Sequence, residues 1–407
     1  EFNLVPDLTV YENIFLGRED TTMGFVHAVE EQQKALHLFQ KIGIKINPEA
    51  HCRDLSVAQQ QIVEIARALS VNAKIIVMDE PSAALTIQEV DRLFKIVRDL
   101  KKHDIGIIYT SHRLEEIFQI ADRVMVLRDG EHIGTVETSN IGPDKLIEMM
   151  VGRPINAEFP PRKAKLGRER LRVENLARAK AVQGVSFSVR AGEVLGFAGL
   201  IGAGRTETMR LIFGADLRDS GRIFVNNREV NIRNPKDAIK SRICLLTEDR
   251  KGQGLVLIHS CRENFGLPNL DQFSRGIFVD QRQERRQFSQ FVDSLKIKIA
   301  STEQIAINLS GGNQQKLVLA KWLARNTDII IFDEPTRGID VATKYEIYLL
   351  INELAAKGKA IILISSELPE ILGLSDRVIV MHGGKITGEI TDVAQATQQD
   401  ILSLAIA

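Results

Sequence analysis

The sequence predicts an α/β chain built from two copies of one domain. Three observations carry this. First, the apolar run Val194–Ala198 leads into Gly199-Leu200-Ile201-Gly202-Ala203-Gly204-Arg205-Thr206 and then into a helical pattern over Thr206–Phe213. That strand–loop–helix order is what a phosphate cradle needs. Second, Ser310-Gly311-Gly312 opens another helical pattern, and the buried-strand run Ile329–Phe332 ends in Asp333-Glu334-Pro335. Adjacent glycines let backbone N–H groups approach a polyanion closely, and a helix start points its positive end the same way. Of two carboxylates at a strand end, one can order a Mg²⁺ shell and the other a water. Third, the chain repeats itself at one offset. Leu55-Ser56, Asp79-Glu80-Pro81, Asp122-Arg123-Val124 and Gly130 recur 254 residues later at Leu309-Ser310, Asp333-Glu334-Pro335, Asp376-Arg377-Val378 and Gly384. A period this long marks two copies of a domain and not a solenoid.

Composition narrows the class. Lys plus Arg and Asp plus Glu are 53 each, so the net charge is zero, which argues against a nucleic-acid binder. Cys52, Cys244 and Cys261 are scattered with no Cys-x-x-Cys pair, which fits a reducing compartment and no zinc site. No apolar run approaches the ~18 residues that a membrane span needs.

Along the chain, Val29–Ile42 has amphipathic helical spacing. Asp54-Leu55-Ser56-Val57-Ala58 precedes a helix through Leu69, and Lys74–Met78 is a strand delivering Asp79-Glu80. Asp91–Lys101 is a helix, Gly106–Thr110 a strand ending at Ser111-His112, and Val124–Leu127 with Arg128-Asp129-Gly130 a hairpin. Asp144–Val151 is a short helix. The Pro-rich, basic stretch 153–167 breaks all periodicity and is expected to be a solvated linker. Strands follow at Leu171–Val173, Val185–Val189 and Val194–Ala198, and later at Ile361–Ile364 before Ser365-Ser366.

At Leu309-Ser310-Gly311-Gly312-Asn313-Gln314-Gln315-Lys316, followed by the strand ending Asp333-Glu334-Pro335-Thr336-Arg337-Gly338-Ile339-Asp340, the chain resembles the signature and Walker B segments of ABC-type ATPases. The resemblance implies two tandem P-loop ATPase domains, each a mixed sheet core with a helical subdomain. These are residues 1–152, a linker over 153–167, and residues 168–407. The repeat offset puts the first copy's phosphate loop ahead of Glu1, so the first domain is expected to lack roughly 85 residues of its front. Glu1–Asn13 looks like the segment that follows a Q-loop glutamine.

In that family each nucleotide lies between one domain's phosphate loop and the other's signature, with ATP and Mg²⁺ as cofactors. Carried over residue by residue, one site takes Asp79 for the metal, Glu80 to polarise water and His112 for the γ-phosphate, with Ser310, Gly311, Gly312 and Gln314. The other takes Gly199, Gly202, Gly204, Arg205 and Thr206, with Thr206 and Asp333 toward the metal, Glu334, Ser366, and Ser56-Val57-Ala58. The second site departs from the pattern. Arg205 stands for Lys, Glu248 for Gln, Ser366 for His, and Val57-Ala58 for two glycines, and no aromatic between Leu171 and Ser186 could stack on an adenine. One hydrolytic and one degenerate site are therefore expected.

The tandem plan, Arg205 in the phosphate loop, Glu248-Asp249-Arg250-Lys251-Gly252-Gln253-Gly254-Leu255, and Ile364-Ser365-Ser366-Glu367-Leu368 together resemble monosaccharide import ATPases of the ribose, galactose and xylose kind. That implies a peripheral protein on the cytoplasmic face of the bacterial inner membrane. Its partners would be a permease dimer and, through it, a periplasmic sugar-binding protein, with no nucleic acid. A nucleoside or autoinducer importer of the same plan is the alternative. A soluble tandem ATPase acting on ribosomes is remoter, since the linker is short and one site is degraded.

Overall fold

The computed structural model describes residues 4–71, 73–82, 85, 87–111, 113–128, 130–151, 159–162, 164–276 and 278–406. His112 lies outside them. The chain divides into two compact units, Glu1–Pro154 and Ile155–Ala407.

In the first unit, α1 (Val10–Phe15) starts at a capping box in which Thr9 and Glu12 bond reciprocally. A two-residue hairpin, β1 (Thr21–Thr22) and β2 (Phe25–Val26), leads to α2 (Ala28–Ile42), which ends on Gly43 at φ +74°. α3 (Val57–Ser70) packs on α1 and α2 around Val10, Ile14, Phe39 and Val63. Then come β3 (Ile75–Asp79), α4 (Ile87–Lys102), β4 (Gly106–Thr110), α5 (Leu114–Ile120), the hairpin of β5 (Arg123–Arg128) and β6 (Glu131–Glu137), and α6 (Pro143–Val151). β3 and β4 run parallel with Asp79 opposite Thr110, and α4 buries Leu93, Phe94 and Val97 beneath them. α4 begins a turn earlier than its apolar spacing indicates.

The second unit holds β7 (Glu169–Arg178), β8 (Val182–Arg190), β9 (Val194–Gly199), α7 (Arg205–Phe213), β10 (Ser220–Val225), β11 (Arg228–Val230), α8 (Pro235–Lys240) and β12 (Ile243–Leu246). A helical insertion follows: α9 (Cys261–Gly266), α10 (Leu270–Phe273), the hairpin of β13 (Ser274–Arg275) and β14 (Phe278–Val279), α11 (Gln281–Ser294) and α12 (Gly311–Leu323). The chain closes with β15 (Ile329–Asp333), α13 (Val341–Ala356), β16 (Ala360–Ile364), α14 (Leu368–Leu374), β17 (Arg377–His382), β18 (Lys385–Ile390) and α15 (Gln398–Ile406). The main sheet runs β12-β15-β16-β9-β17-β18, parallel except for β18, and β11-β10-β7-β8 form a separate antiparallel sheet.

β9 is therefore central, between β16 and β17. The loop after it opens at the carboxyl end of the sheet where the strand order reverses, the usual ligand position in such sheets. Every residue of β15 and β16 is buried. The repeated strands β3 and β4 differ: Ile75 and Val77 are each 65% exposed and Ile108 is 53% exposed. The reason is topological. Among the described residues of the first unit no strand lies between β4 and β5, so the face that β9 and its loop helix complete in the second unit stays open.

The stretch expected to be a solvated linker is docked where it is described. The Phe159 ring lies 5.3 Å from Tyr348, centroid to centroid, and covers Gly373, where a Cβ would sit 2.2 Å from the ring. Arg162 donates to Asn352 at 2.9 Å and the Gly192 carbonyl at 3.2 Å, and it pairs with Asp376. Asp376 also accepts from the Val194 N–H at 2.8 Å, so this carboxylate fixes the stretch and the start of β9 together. Composition marks the stretch as irregular, but the aromatic and the arginine within it find partners only after the second unit folds.

Candidate nucleotide site

The loop from Gly199 to Thr206 is shaped by glycines at two positions. Gly199 has φ +148°, and a Cβ there would lie 2.3 Å from the Met381 carbonyl oxygen. Gly204 has φ +97°, and its Cβ would lie 2.5 Å from the Ala181 carbonyl oxygen. No L side chain fits either place. Gly202 turns at φ +80° in open space. Gly204 caps α7 without any side-chain bond to the helix, which leaves the first-turn N–H groups aimed out of the loop.

Beneath the loop, the Thr206 hydroxyl donates to Asp333 Oδ1 at 3.1 Å. Asp333 is 1% exposed. Burial pushes its carboxyl up to about 6, although the Thr206 hydroxyl bond opposes the shift. Glu334 is also pushed up, first by burial, with Ser366 and Arg205 opposing. Ser366 Oγ donates to Glu334 Oε2 at 3.0 Å. Arg205 turns inward. One guanidinium nitrogen donates to the Ser365 carbonyl at 3.0 Å and another lies 3.9 Å from Glu334 Oε1. Glu248 pairs with Arg337. The structure thus gathers Arg205, Thr206, Asp333, Glu334 and Ser366, and its second-unit cation is already engaged.

Ser310, Gly311, Gly312 and Gln314 form a second group at the start of α12. Ser310 stands at the N-cap but gives its helix no side-chain bond; its hydroxyl accepts from Asn313 Nδ2 at 2.9 Å. The repeated Ser56 behaves differently: it accepts from Gln59 N at 3.3 Å, and Gln59 Oε1 accepts from Ser56 N at 2.9 Å. At the start of α3 the capping box thus occupies the Gln59 and Ser56 N–H groups, whereas α12 has no such side-chain cap and its first N–H groups can meet an anion. A Cβ on Gly311 would come 3.2 Å from the Gly338 carbonyl oxygen, and one on Gly312 3.2 Å from the Thr343 side chain. Gln314 is buried and donates to the Ala306 carbonyl at 3.2 Å, so it braces the turn before Ser310.

In the first unit Asp79 and Glu80 lie exposed at the end of β3. Asp79 accepts from the Thr110 hydroxyl. Glu80 has φ +45° and Glu334 φ +48°, the left-handed region at the same repeat position. The Glu80 N–H donates to the Thr110 carbonyl at 3.1 Å and that of Glu334 to the Ile364 carbonyl at 3.0 Å. A non-glycine residue is held there only by its surroundings.

Two cations around the signature escape sequence reasoning. Arg250 donates to the Gly311 carbonyl at 3.1 Å, and the Lys321 ammonium bonds the Gly254 carbonyl, where burial pushes it down to about 8. The signal available for both was the charged run Glu248–Leu255, whose partners lie more than 55 residues further on.

A model of the ABC transporter family matches residues 1–83 and 182–337. The chain belongs to the ABC transporter family. Among its ABC relatives, the ribose import ATP-binding protein of Geobacillus kaustophilus is 50% identical over 95% of this chain and 78% of its own length. A putative ribose/galactose/methyl galactoside import ATP-binding protein of Rhizobium etli is 48% identical over all of this chain and 78% of its own. The ribose import ATP-binding protein of Bacillus subtilis is 45% identical over all of this chain and 82% of its own. A solved ATP-binding cassette of an ABC transporter, in its ADP conformation, covers 59% of this chain and all of its own at a TM-score of 0.50 and 24% identity, a likeness of fold. This chain is accordingly a nucleotide-binding, ATP-hydrolysing subunit of an ABC transporter.

Proposed function

We propose that this chain powers uptake of a monosaccharide, ribose being the first choice, through two nucleotide-binding domains, 1–152 and 168–407, with unequal catalytic parts. The substrate reading rests on the 45–50% identity to relatives named for ribose import. The inequality rests on the helix starts. α12 starts behind Ser310-Gly311-Gly312 with no side-chain cap, while in α3 the Ser56 hydroxyl takes the Gln59 N–H and the Gln59 side chain takes the Ser56 N–H.

In this reading Glu80 orients the attacking water and Asp79 and His112 complete the hydrolytic set. Gly199–Thr206 hold a second ATP that turns over slowly, because Arg205 is drawn to the Ser365 carbonyl and Glu334. The adjacent Thr206 hydroxyl and buried Asp333 carboxylate fit a Mg²⁺ ion, which, when bound, would neutralise phosphate charge. Burial of an acid without a full cationic partner, seen in the raised Asp333, is what such an ion relieves. Among the described residues no helix is long and apolar enough to cross a membrane, and attachment to a membrane permease on its cytoplasmic face belongs to the same reading.

The test is uptake of labelled ribose by cells lacking the gene and carrying variants of the natural gene. Glu80→Gln is expected to abolish uptake, and Glu334→Gln to keep most of it. Removing one such charge-stabilising group costs on the order of 10²-fold in rate where the group is catalytic. Equal losses would remove the asymmetry. Undiminished ribose uptake in the deleted strain would remove the substrate assignment.

A further inference from the structure

Among the described residues, the first unit buries a carboxylate that the reaction does not use directly. Glu116, on α5, is 3% exposed. Its Oε2 accepts from three hydroxyls: Ser82 at 2.6 Å, Tyr109 at 2.9 Å and Ser111 at 3.1 Å. Its Oε1 lies 3.0 Å from an Arg113 guanidinium nitrogen. Ser82 stands two residues after Glu80, in the turn leaving β3. Ser111 closes β4 and is the residue before His112.

The same knot recurs in the second unit. Glu370, 2% exposed, accepts from Thr336 at 2.8 Å, Ser365 at 2.7 Å and Tyr348 at 2.6 Å. Glu116 and Glu370, Ser82 and Thr336, Ser111 and Ser365 are each 254 residues apart. The tyrosines are not. Tyr109 comes from β4 and Tyr348 from α13, where the matching positions hold Leu363 and Phe94. A third hydroxyl reaches the glutamate by a different route in each unit, while the two turn-bearing hydroxyls are the same.

A buried carboxylate is costly unless fully hydrogen-bonded, and a core needs none for packing. This one ties together two turns, each next to a residue of the hydrolytic set. One contains Glu80 in its left-handed conformation, which nearby contacts must sustain. We propose that Glu116 is a positioning residue for ATP hydrolysis, holding the turn after Glu80 and the strand end before His112 in register. The proposal rests on the reading that the first unit supplies the hydrolytic set. Glu370, the equivalent knot in the slow site, is its internal control.

The experiment uses the transporter assembled from the natural gene products. It measures ATP turnover, KM for ATP and thermal unfolding for Glu80→Gln, Glu116→Gln, Glu370→Gln and Ser111→Ala. Glu116→Gln is expected to lower kcat on the order of 10²-fold with KM for ATP within about 3-fold, the mark of misplaced catalytic groups. Glu370→Gln, which disturbs the same packing, should keep more than about a third of turnover. If both glutamate variants lose turnover equally while Glu80→Gln is inactive, the knot is only structural and the proposal falls. If Glu116→Gln keeps full turnover, it falls as well. Retained turnover in Glu80→Gln would overturn the parent reading and this proposal with it. Should Glu116→Gln not fold, Ser111→Ala decides, since it removes one donor from an otherwise intact knot: a loss of about 10-fold or more supports the role, and none refutes it.

Discussion

At the scale of single residues, the second unit's candidate site is built on one buried acid, Asp333. Asp333 has its carboxyl pushed up to about 6 from 3.8 because burial outweighs the Thr206 bond. Between roughly pH 4 and 6 the folded chain keeps a proton that the unfolded chain has released, so stability falls as pH rises through that window and stays lower above it. Asp333→Asn has no charge to bury. It is expected to stabilise the second unit by about 2–3 kcal/mol at pH 7.5 and to change little near pH 3.5. Urea unfolding followed by the fluorescence of Trp322, the single tryptophan, reads this directly. A gain that persisted unchanged at low pH would show that packing, not ionisation, is responsible. Arg205 belongs to the same scale: its planar guanidinium reaches a carbonyl and a carboxylate at once, which a lysine ammonium at the end of a single stem does less readily.

At the scale of elements, two helices that begin with the same Leu-Ser pair end up with different starts. Gln59, the residue after Val57-Ala58, folds back on Ser56, whereas Asn313 donates to the Ser310 hydroxyl and accepts from the Lys298 N–H at 2.8 Å. A serine that caps is worth about 1 kcal/mol and one that does not is worth little. Ser56→Ala should therefore destabilise the first unit by about that amount, and Ser310→Ala should leave stability nearly unchanged while weakening ATP turnover. Chemical denaturation beside an ATPase assay checks the pair. The strands carry a parallel lesson. Ile329–Phe332 reads as a buried strand and Lys74–Met78 is the strand that repeats it, yet Ile75 and Val77 are mostly exposed. An apolar run states that a strand wants two covered faces; it does not supply the neighbours.

At the scale of the whole molecule, the two units are unequal in how far their cores are closed. The second unit surrounds β9 with strands on both sides and packs Phe159 and Arg162 onto its surface. Among its described residues the first has four strands of the repeated set, in two separate pairs. Local opening follows exposed strand faces and sparse packing. Limited proteolysis is accordingly expected to cut first within the first unit, around β3 to β5, and to leave a resistant fragment starting near Phe159. Initial cuts inside residues 169–390 would contradict this ordering of stabilities. Within the segment between β12 and β15, Arg250 and Lys321 bond the Gly311 and Gly254 carbonyls and tie the stretch after β12 to α12, so the signature glycines do not depend on helix packing alone for their position.

Much was legible in the sequence. The repeat at 254 residues, the glycine loop after Val194–Ala198 and the Asp-Glu pairs closing two apolar strands determined the fold class, the family resemblance and the candidate site residues, because each is a local pattern with a local cause. Glycine spacing dictates where backbone can crowd, and apolar run length dictates which strands seek burial. Only the tertiary structure decided which of these groups already have partners. The occupied cap at Ser56, Arg205 drawn to Ser365 and Glu334, the carbonyl grips of Arg250 and Lys321, and the glutamate knots at 116 and 370 all join residues far apart in sequence or choose among several local partners. Which partner a polar side chain takes depends on the directions and burial imposed once the sheets and helices pack, and composition and spacing do not contain that information.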